Sequence, residues 1–570
     1  MIRGIATAVL ADGVRRTAVA NMSNYEQEHA SFTLTVPEFF NFGFDVVDRW
    51  AEDPLKLAML WVDDAGQSAR YTFADMRRES NRFANVLQGL GVRQGDGVML
   101  VLPRLPQWHS IVVAVMKLGA IPMPGTVLLT AKDFDYRINI AEASVVIVDE
   151  ANMAKVESVR GQCPTLRHCI VVGQARPGWV AYDAAMATAS EAFTPAPTRS
   201  TDPAMIYFTS GTTGGPKMVL HTHASYPLAH LGTGKYWLDL QPGDLHWNLS
   251  DTGWAKAAYS NLFGPWLMGA AVFIQHSTGR FDAQETLRLL AQHGVTTFCA
   301  PPTAYRMMVL EDLPRYNLVQ LRHCVGAGEP LNPEVIAAWK AGTGLTIYDG
   351  YGQTETTLLV ANYPCLEVKP GSMGKPVPGF TVAIIDAHTG TVLPPGQEGD
   401  IAVRVKPQRP VGLFQEYWKN PEETTNAFRG EWYITGDRGL QDDEGYFWFV
   451  GRADDVIISA GYRIGPFEVE SALLEHDAVA ESAVVASPDE MRGAIVKAFV
   501  ILAPGYQPSP ALAEDLQEHV KRVTAPYKYP RDIEFVTELP KTISGKIRRI
   551  ELRQREEALK TAGGRQQQAL

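Results

Sequence analysis

Short apolar runs alternate with helical patterns from about residue 36 to about residue 380, and this rhythm restricts the fold more than any other feature of the chain. Runs at 98–102, 145–148, 170–172, 204–208, 271–274 and 295–299 have the length and β-branched content of buried strands. Between them, Thr72 is placed to cap a helix reaching Leu90, a second helix carries Val112, Val115, Met116 and Ala120, Asp282 caps a third to His293, and Pro333 opens a fourth to Lys340. Alternation of this kind implies parallel sheets covered by helices. From about Thr381 the texture changes to alternating residues and turns, as in Val382–Ile385 and Asp400–Val405 around Pro394-Pro395-Gly396, which predicts an antiparallel sheet or barrel. After Gly451-Arg452-Ala453-Asp454-Asp455 a smaller unit is expected, with helices 466–474 and 511–523, paired strands 481–486 and 494–502, a strand 533–536, and a frayed polar tail from Glu551.

The fold expected is therefore α/β: a large N-terminal domain of parallel α/β subdomains plus a β-barrel-like subdomain, followed by a small α+β C-terminal domain. Boundaries are placed at 1–35 for a disordered leader, 36–453 for the large domain and 454–570 for the small one, a length beyond what one core usually supports.

The stretch with the clearest chemistry follows the run 204–208. Thr209, Ser210, Gly211, Thr212, Thr213, Gly214, Gly215, Pro216 and Lys217 bring hydroxyls, glycines and one lysine into nine residues. Glycines let several N–H groups face one anion, hydroxyls donate further hydrogen bonds, and the lysine adds a positive charge, so the loop suits phosphate. It is not a Walker A loop, because Pro216, Lys217 and Met218 stand where Gly, Lys and Ser or Thr are needed. The hydroxyl that would hold Mg²⁺ in such a loop is missing, and another nucleotide chemistry is required.

The totals exclude several classes. A net charge of −11 argues against a nucleic-acid binder. Cys163, Cys169, Cys299, Cys324 and Cys365 are scattered with no Cys-x-x-Cys pair, which fits a reducing compartment and a cytoplasmic location. The alternative is a mitochondrial matrix location if residues 1–30, with Arg3, Arg15 and Arg16 against only Asp12, are a transit peptide; Met22 is also a conceivable start. The longest apolar candidate, Ile111 to Leu129, contains Lys117, Pro122 and Pro124, so no stable membrane insertion is expected. His221 and His223 have strand-like spacing but no apparent third metal ligand, which favours structural or substrate-lining roles.

Three further stretches join the loop: Asp349-Gly350-Tyr351-Gly352-Gln353-Thr354-Glu355-Thr356, Tyr433-Ile434-Thr435-Gly436-Asp437, and Pro540-Lys541-Thr542-Ile543-Ser544-Gly545-Lys546. In this order the chain resembles the adenylate-forming superfamily of acyl-CoA synthetases, luciferases and peptide-synthetase adenylation domains, over residues 40 to 555. Residues 250–254, 406–412, 459–466 and 525–531 look like its medium-chain acyl-CoA synthetase branch. The resemblance implies that a carboxylate, ATP and CoA give acyl-CoA, AMP and pyrophosphate through an acyl-adenylate, with Mg²⁺. A homodimer is left open. A domain that loads a carrier protein and a luciferase-like oxidation are the alternatives, the former disfavoured because no carrier segment follows residue 555.

The same resemblance distributes roles. Lys217 and the 209–217 loop meet the β- and γ-phosphates, Thr354 the α-phosphate, and Glu355 holds Mg²⁺. Asp437 and Arg452 receive the ribose. The adenine lies by Gly326, Gly328, Glu329, Asp349, Gly350 and Tyr351, with Gly352 and Gln353 adjoining. Lys546 bridges carboxylate and α-phosphate during adenylation. The small domain then turns about Asp454, bringing Gly461, Tyr462 and Arg463 to the site, with Arg492, Tyr529 and Arg531 contacting CoA. Trp237, Trp254, Lys256, Tyr259, Tyr305, Gly326 and Gly352 form the acyl pocket, where Gly352 replaces a tryptophan of acetate-specific relatives and leaves room for a longer acid.

Overall fold

The computed structural model describes residues 19–209, 216–329, 331–452, 455–459, 462–489, 492–541 and 547–567. Two parallel systems form the large part of the chain. The first is a sheet of five strands in the order 121–124, 97–101, 145–149, 168–172 and 180–181, with every pairing parallel. Helix Phe73–Gly89 packs beside it, and its Thr72 cap is as expected: the hydroxyl accepts from Asp75 N at 3.1 Å while Asp75 returns a bond to Thr72 N at 2.8 Å. This reciprocal pairing satisfies two backbone donors that a helix start otherwise leaves bare. Helix Ala131–Ala141 repeats the device with Thr130 and Asp133.

The second system is a sheet of 14 strands among the described residues. Leu57–Asp63, Ala271–His276, Leu245–Asn248, Thr297–Ala300, His323–Ala327 and Ile347–Gly352 run parallel through its centre. Beyond Ile347–Gly352 the pairing turns antiparallel through Leu358–Ala361, Ser372–Pro376, Phe447–Arg452, Trp432–Gln441, Gly399–Arg404 and Val382–Ile385. The expected barrel-like part is thus hydrogen-bonded in series with the parallel sheet. A small antiparallel sheet, Glu416–Tyr417 with Lys217–Thr222 and Pro203–Thr209, carries the phosphate loop.

The C-terminal unit has strands Val479–Asp489, Gly493–Leu502 and Asp532–Phe535 under helices Pro466–Leu474 and Pro510–Val523, with its own apolar core around Val484, Ala498, Leu516 and Val520. The tail expected to fray is instead the helix Arg549–Gln567. Arg549 grips the buried Glu470 at 2.6 Å, and Arg553 pairs with Asp455 at the same distance.

The leader boundary at residue 35 also needs correction. Residues 1–18 lie outside the described residues, but Asn21 donates Nδ2 to the carbonyls of Lys235 and Leu240, both at 2.9 Å. Met22 and Tyr25 are buried in the core, and helix Tyr25–Ser31 follows. These apolar and amide groups find their partners only in tertiary structure, which is why local composition read them as leader.

Candidate active site

The strands on either side of the expected phosphate loop pair antiparallel. Thr209 pairs directly with Lys217, so the lysine begins a strand and not a helix, which separates this loop structurally from a Walker A turn. Ser210, Gly211, Thr212, Thr213, Gly214 and Gly215 lie outside the described residues. Pro216 accepts at its carbonyl from Tyr136 Oη at 3.3 Å. Lys217 meets the Glu423 carboxylate and lies 5.1 Å above the Tyr417 ring.

Glu355 comes to the same ring. Tyr417 Oη donates to Glu355 Oε1 at 2.9 Å, and Phe414 N donates to the Glu355 carbonyl at 2.7 Å. Burial raises the Glu355 carboxyl above the usual range, opposed by the Tyr417 hydrogen bond and by the charges of Arg452 and Lys217. A desolvated carboxylate beside a phosphate loop fits Mg²⁺, which is commonly held by one or two protein carboxylates together with substrate phosphates and water. Among the described residues no group of three His, Cys, Asp or Glu side chains could hold a metal by itself.

Asp437 gathers a second cluster. It faces Arg452 across the strand pair, with Arg452 Nε 3.3 Å from Oδ1, and its Oδ2 accepts from Tyr351 Oη at 2.6 Å and from Gln353 Nε2 at 2.7 Å. The Asp437 side chain is 5 % exposed whereas that of Arg452 is 50 % exposed, so a fixed carboxylate stands beside a reachable cation. Tyr433 Oη donates to Gln353 Oε1 at 3.0 Å and completes the support. The Tyr351 ring is only partly buried and is tilted against Phe449. The 349–355 segment therefore spans both clusters, from Tyr351 and Gln353 beside Asp437 to Glu355 beside Tyr417.

Thr354 is held from behind by His221, whose Nε2 is 2.7 Å from the Thr354 carbonyl. The sequence favours a structural or substrate-lining role for this histidine over a metal-binding one, without indicating its partner. Its i to i+2 spacing with His223 was visible, but the partner 133 residues away was not.

The acyl-pocket residues separate into two groups. Trp237 and Tyr259 lie near each other, 6.5 Å between rings, and Trp237 Nε1 donates to the Tyr348 carbonyl at 3.2 Å. A Cβ at Gly350 would come within 2.6 Å of the Trp237 ring, so glycine is what lets the indole rest on this strand. Trp254 is half-buried and precedes the short helix bearing Lys256, whose Nζ donates to the Ala327 carbonyl at 2.8 Å.

Tyr305 is a correction: its ring is fully buried against Phe298 and Trp339 and its hydroxyl donates to the Val325 carbonyl at 3.1 Å, in a core cluster separate from that of Trp237. Gly326 points a Cβ position toward Ile347 and Leu331 of that other cluster. Gly352 is a second correction, because a Cβ there would sit 2.6 Å from the Thr357 carbonyl, in the neighbouring strand and not in open pocket space. Gly328 belongs to the rim with φ 103°, while the Glu329 carboxylate is occupied by Arg306 at 3.1 Å and Thr303 at 3.0 Å.

Of the C-terminal residues, Lys546, Asp454 and Gly461 lie outside the described residues, and so does the side chain of Arg463. Tyr462 is half-exposed and stacks on Tyr527 with 4.4 Å between rings. Arg531 donates to Tyr529 Oη at 2.6 Å and Lys521 lies 4.2 Å over the Tyr529 ring, while the Arg492 N–H donates to Asp489 at 2.8 Å.

Residues 46–418 match the AMP-binding enzyme family and residues 468–546 its AMP-binding enzyme C-terminal domain. The mitochondrial acyl-coenzyme A synthetase ACSM3 of Rattus norvegicus is 50% identical over 552 residues, covering 95% of each chain. The mitochondrial acyl-coenzyme A synthetase ACSM4 of Homo sapiens is 50% identical over 532 residues, covering 91% of each chain. Among solved structures, the anthranilate CoA ligase AuaEII in complex with anthranoyl-AMP matches with a TM-score of 0.84 and 34% identity, over 91% of this chain and 98% of that one. The mitochondrial designation of the relatives overturns the expectation of a cytoplasmic location, which rested on cysteine usage, a property that any reducing compartment shares. Matched over both of its segments and half-identical to such relatives along nearly its whole length, the chain belongs to the AMP-binding enzyme family, among the AMP-forming acyl-coenzyme A synthetases.

Proposed function

We propose that the acid is a medium-chain carboxylate, with branched or aryl acids as the nearest competitors, and that the two clusters divide the work of activating it. ATP and CoA are the family's co-substrates. A carboxylate is a poor electrophile, so its oxygen first attacks the α-phosphorus while pyrophosphate leaves. Two anions must approach, and catalysis is mostly charge neutralisation and positioning. The observation that carries the reading is the convergence of Asp437, Arg452, Tyr351 and Gln353 at one end of the 349–355 segment, and of Glu355, Tyr417 and Lys217 at the other.

In this reading Asp437 accepts the ribose hydroxyls and Arg452 adds a donor beside it. Lys217 exchanges Glu423 for the β- and γ-phosphates, with Thr209 and the loop to Pro216 around them. Glu355 would hold Mg²⁺, which supplies charge neutralisation on the phosphates. Thr354 meets the α-phosphate. Lys546 joins the carboxylate and α-phosphate during adenylation, and rotation of the unit after Asp454 then exchanges Lys546 for Gly461, Tyr462 and Arg463. Arg492, Tyr529 and Arg531 contact CoA.

The test is ATP–pyrophosphate exchange and AMP release over acids of two to twelve carbons plus benzoates, with and without CoA. Exchange that peaks at six to ten carbons and CoA-dependent AMP release support the proposal. Exchange confined to acetate, or to aryl acids, overturns the medium-chain assignment.

A further inference from the structure

Lys256 stands where the parallel strands end. Its carbonyl accepts from Asn248 Nδ2 at 3.0 Å, and Asn261 Nδ2 in turn donates to the Asn248 carbonyl at 3.1 Å, so the backbone of the lysine is pinned to the end of strand Leu245–Asn248. Its side chain then crosses to the next strands and donates Nζ to the Ala327 carbonyl at 2.8 Å. In the parallel register Gly326 lies opposite Asp349, and Ala327 opposite Gly350. The ammonium therefore sits at the carboxyl end of strand His323–Ala327, on the side of an open parallel sheet where ligands bind.

Asp349 is 7 % exposed, and its Oδ1 accepts from Gly350 N at 3.0 Å. Burial pushes its carboxyl up to about 7, and Lys256 is the cation that draws it back down. The same ammonium opposes the rise that burial imposes on the Cys299 thiol, on the strand beyond. One charge thus bears on three neighbouring strands, and a buried carboxylate deprived of its cation is costly.

We propose that Lys256 is a positioning residue for ATP, tying the acyl-pocket segment to Ala327 and balancing Asp349 so that the Gly326–Glu329 rim keeps the shape that receives adenine. The proposal rests on reading that rim as the adenine site. It gives the Lys256 ammonium to the Ala327 carbonyl and not to the acid.

The experiment measures ATP–pyrophosphate exchange for Lys256→Met, Lys256→Gln and the double variant Lys256→Met with Asp349→Asn, varying ATP and, separately, hexanoate and benzoate. Loss of one such interaction should raise the KM for ATP about tenfold in both single variants, with the KM of each acid changed by less than about two-fold. Calorimetric ATP binding without acid should weaken by the same factor. The double variant, which removes charge and countercharge together, should recover most of the ATP affinity. A rise in the KM for one or both acids with ATP unaffected would overturn the proposal, and so would a double variant no better than Lys256→Met. Each result is a ratio to the parent enzyme, so a parent that releases no AMP with any acid would defeat the assigned reaction instead.

Discussion

His221 and Thr354 are joined by a 2.7 Å contact between imidazole Nε2 and a main-chain carbonyl, and the other ring nitrogen lies 3.1 Å from Ser225 Oγ. A carbonyl only accepts, so Nε2 carries the proton and Nδ1 is the acceptor. Burial lowers the ring to about 4, which keeps it neutral and this tautomer in place at neutral pH. The imidazole thus fixes the height of the segment that carries Thr354 and Glu355, the residues proposed to meet the phosphates. His221→Leu should lower the adenylation kcat by about 10- to 100-fold, the scale of a misplaced positioning group, with the KM of the acid little changed. His221→Gln, which keeps a donor, should recover part of the loss. Pyrophosphate exchange reads both, and equal rates in the two variants would sink the assignment.

Lys546 offers a different separation, between half-reactions. Lys546→Ala should abolish formation of acyl-adenylate, while thioester formation from supplied acyl-adenylate and CoA stays largely intact. Single-turnover assays of each half measure this, and equal loss of both would remove the lysine from its adenylation role.

His223 is fully buried, and neither ring nitrogen has a hydrogen-bond partner among the described residues. Desolvation lowers its pKa to about 4 from an ordinary 6.5. Between those values the unfolded chain takes up a proton that the folded chain refuses, so stability falls as pH drops from 6.5 to 4 and levels off below. One such group accounts for on the order of 3 kcal/mol at the acid end. His221 and His109, both lowered to about 4, add to the slope. His223→Leu should flatten the thermal stability against pH in this window, and a slope identical to the parent would refute the account.

What the sequence made legible was local or motif-borne. The Thr72 cap, the strand before Thr209 and the order of the 349–356, 433–437 and 540–546 stretches need only neighbouring residues or a family pattern to be recognised. What escaped depends on which side of a sheet a residue meets. Tyr305 and Trp237 carry similar aromatic signals, yet each packs in a different cluster because the intervening strands present alternate residues to opposite faces. His221 and Lys256 bind carbonyls remote in sequence, and a carbonyl leaves no mark in side-chain pattern.

Asn21 supplies a case where a segment read as leader carries energy. Its N–H donates to Asp239 Oδ1 at 2.7 Å and its amide caps two carbonyls of the 235–240 stretch, which contains Trp237. Removing residues 1–21 would leave the 3 % exposed Asp239 carboxylate to Arg322 alone. With the bond from Gln241 Nε2 to the Val19 carbonyl at 2.9 Å, four lost hydrogen bonds at about 1 kcal/mol each should lower the melting temperature by a few degrees. Asn21→Ala should reproduce about half of the effect, because the backbone donor and the Val19 carbonyl remain. Differential scanning fluorimetry checks this, and unchanged melting in the truncated chain would show the contacts to be idle.

Gly352 tests whether pocket size can be set from that position. The family resemblance read in the sequence implies that Gly352→Trp would close the pocket and turn preference toward acetate or propionate. Geometry opposes it: a Cβ would approach the Thr357 carbonyl to 2.6 Å and Leu358 Cα to 3.2 Å, both backbone atoms of the partner strand. Backbone cannot swing aside as a flexible side chain can, and Gly352 already pairs with Leu358 at a register irregularity. Even Gly352→Ala should cost about 1–3 kcal/mol through overpacking. Gly352→Trp should lose turnover of acetate and of a six-carbon acid together, with a lowered melting temperature. A tryptophan variant that melts like the parent and favours acetate would show that the strand pair yields and that this glycine does gate the pocket.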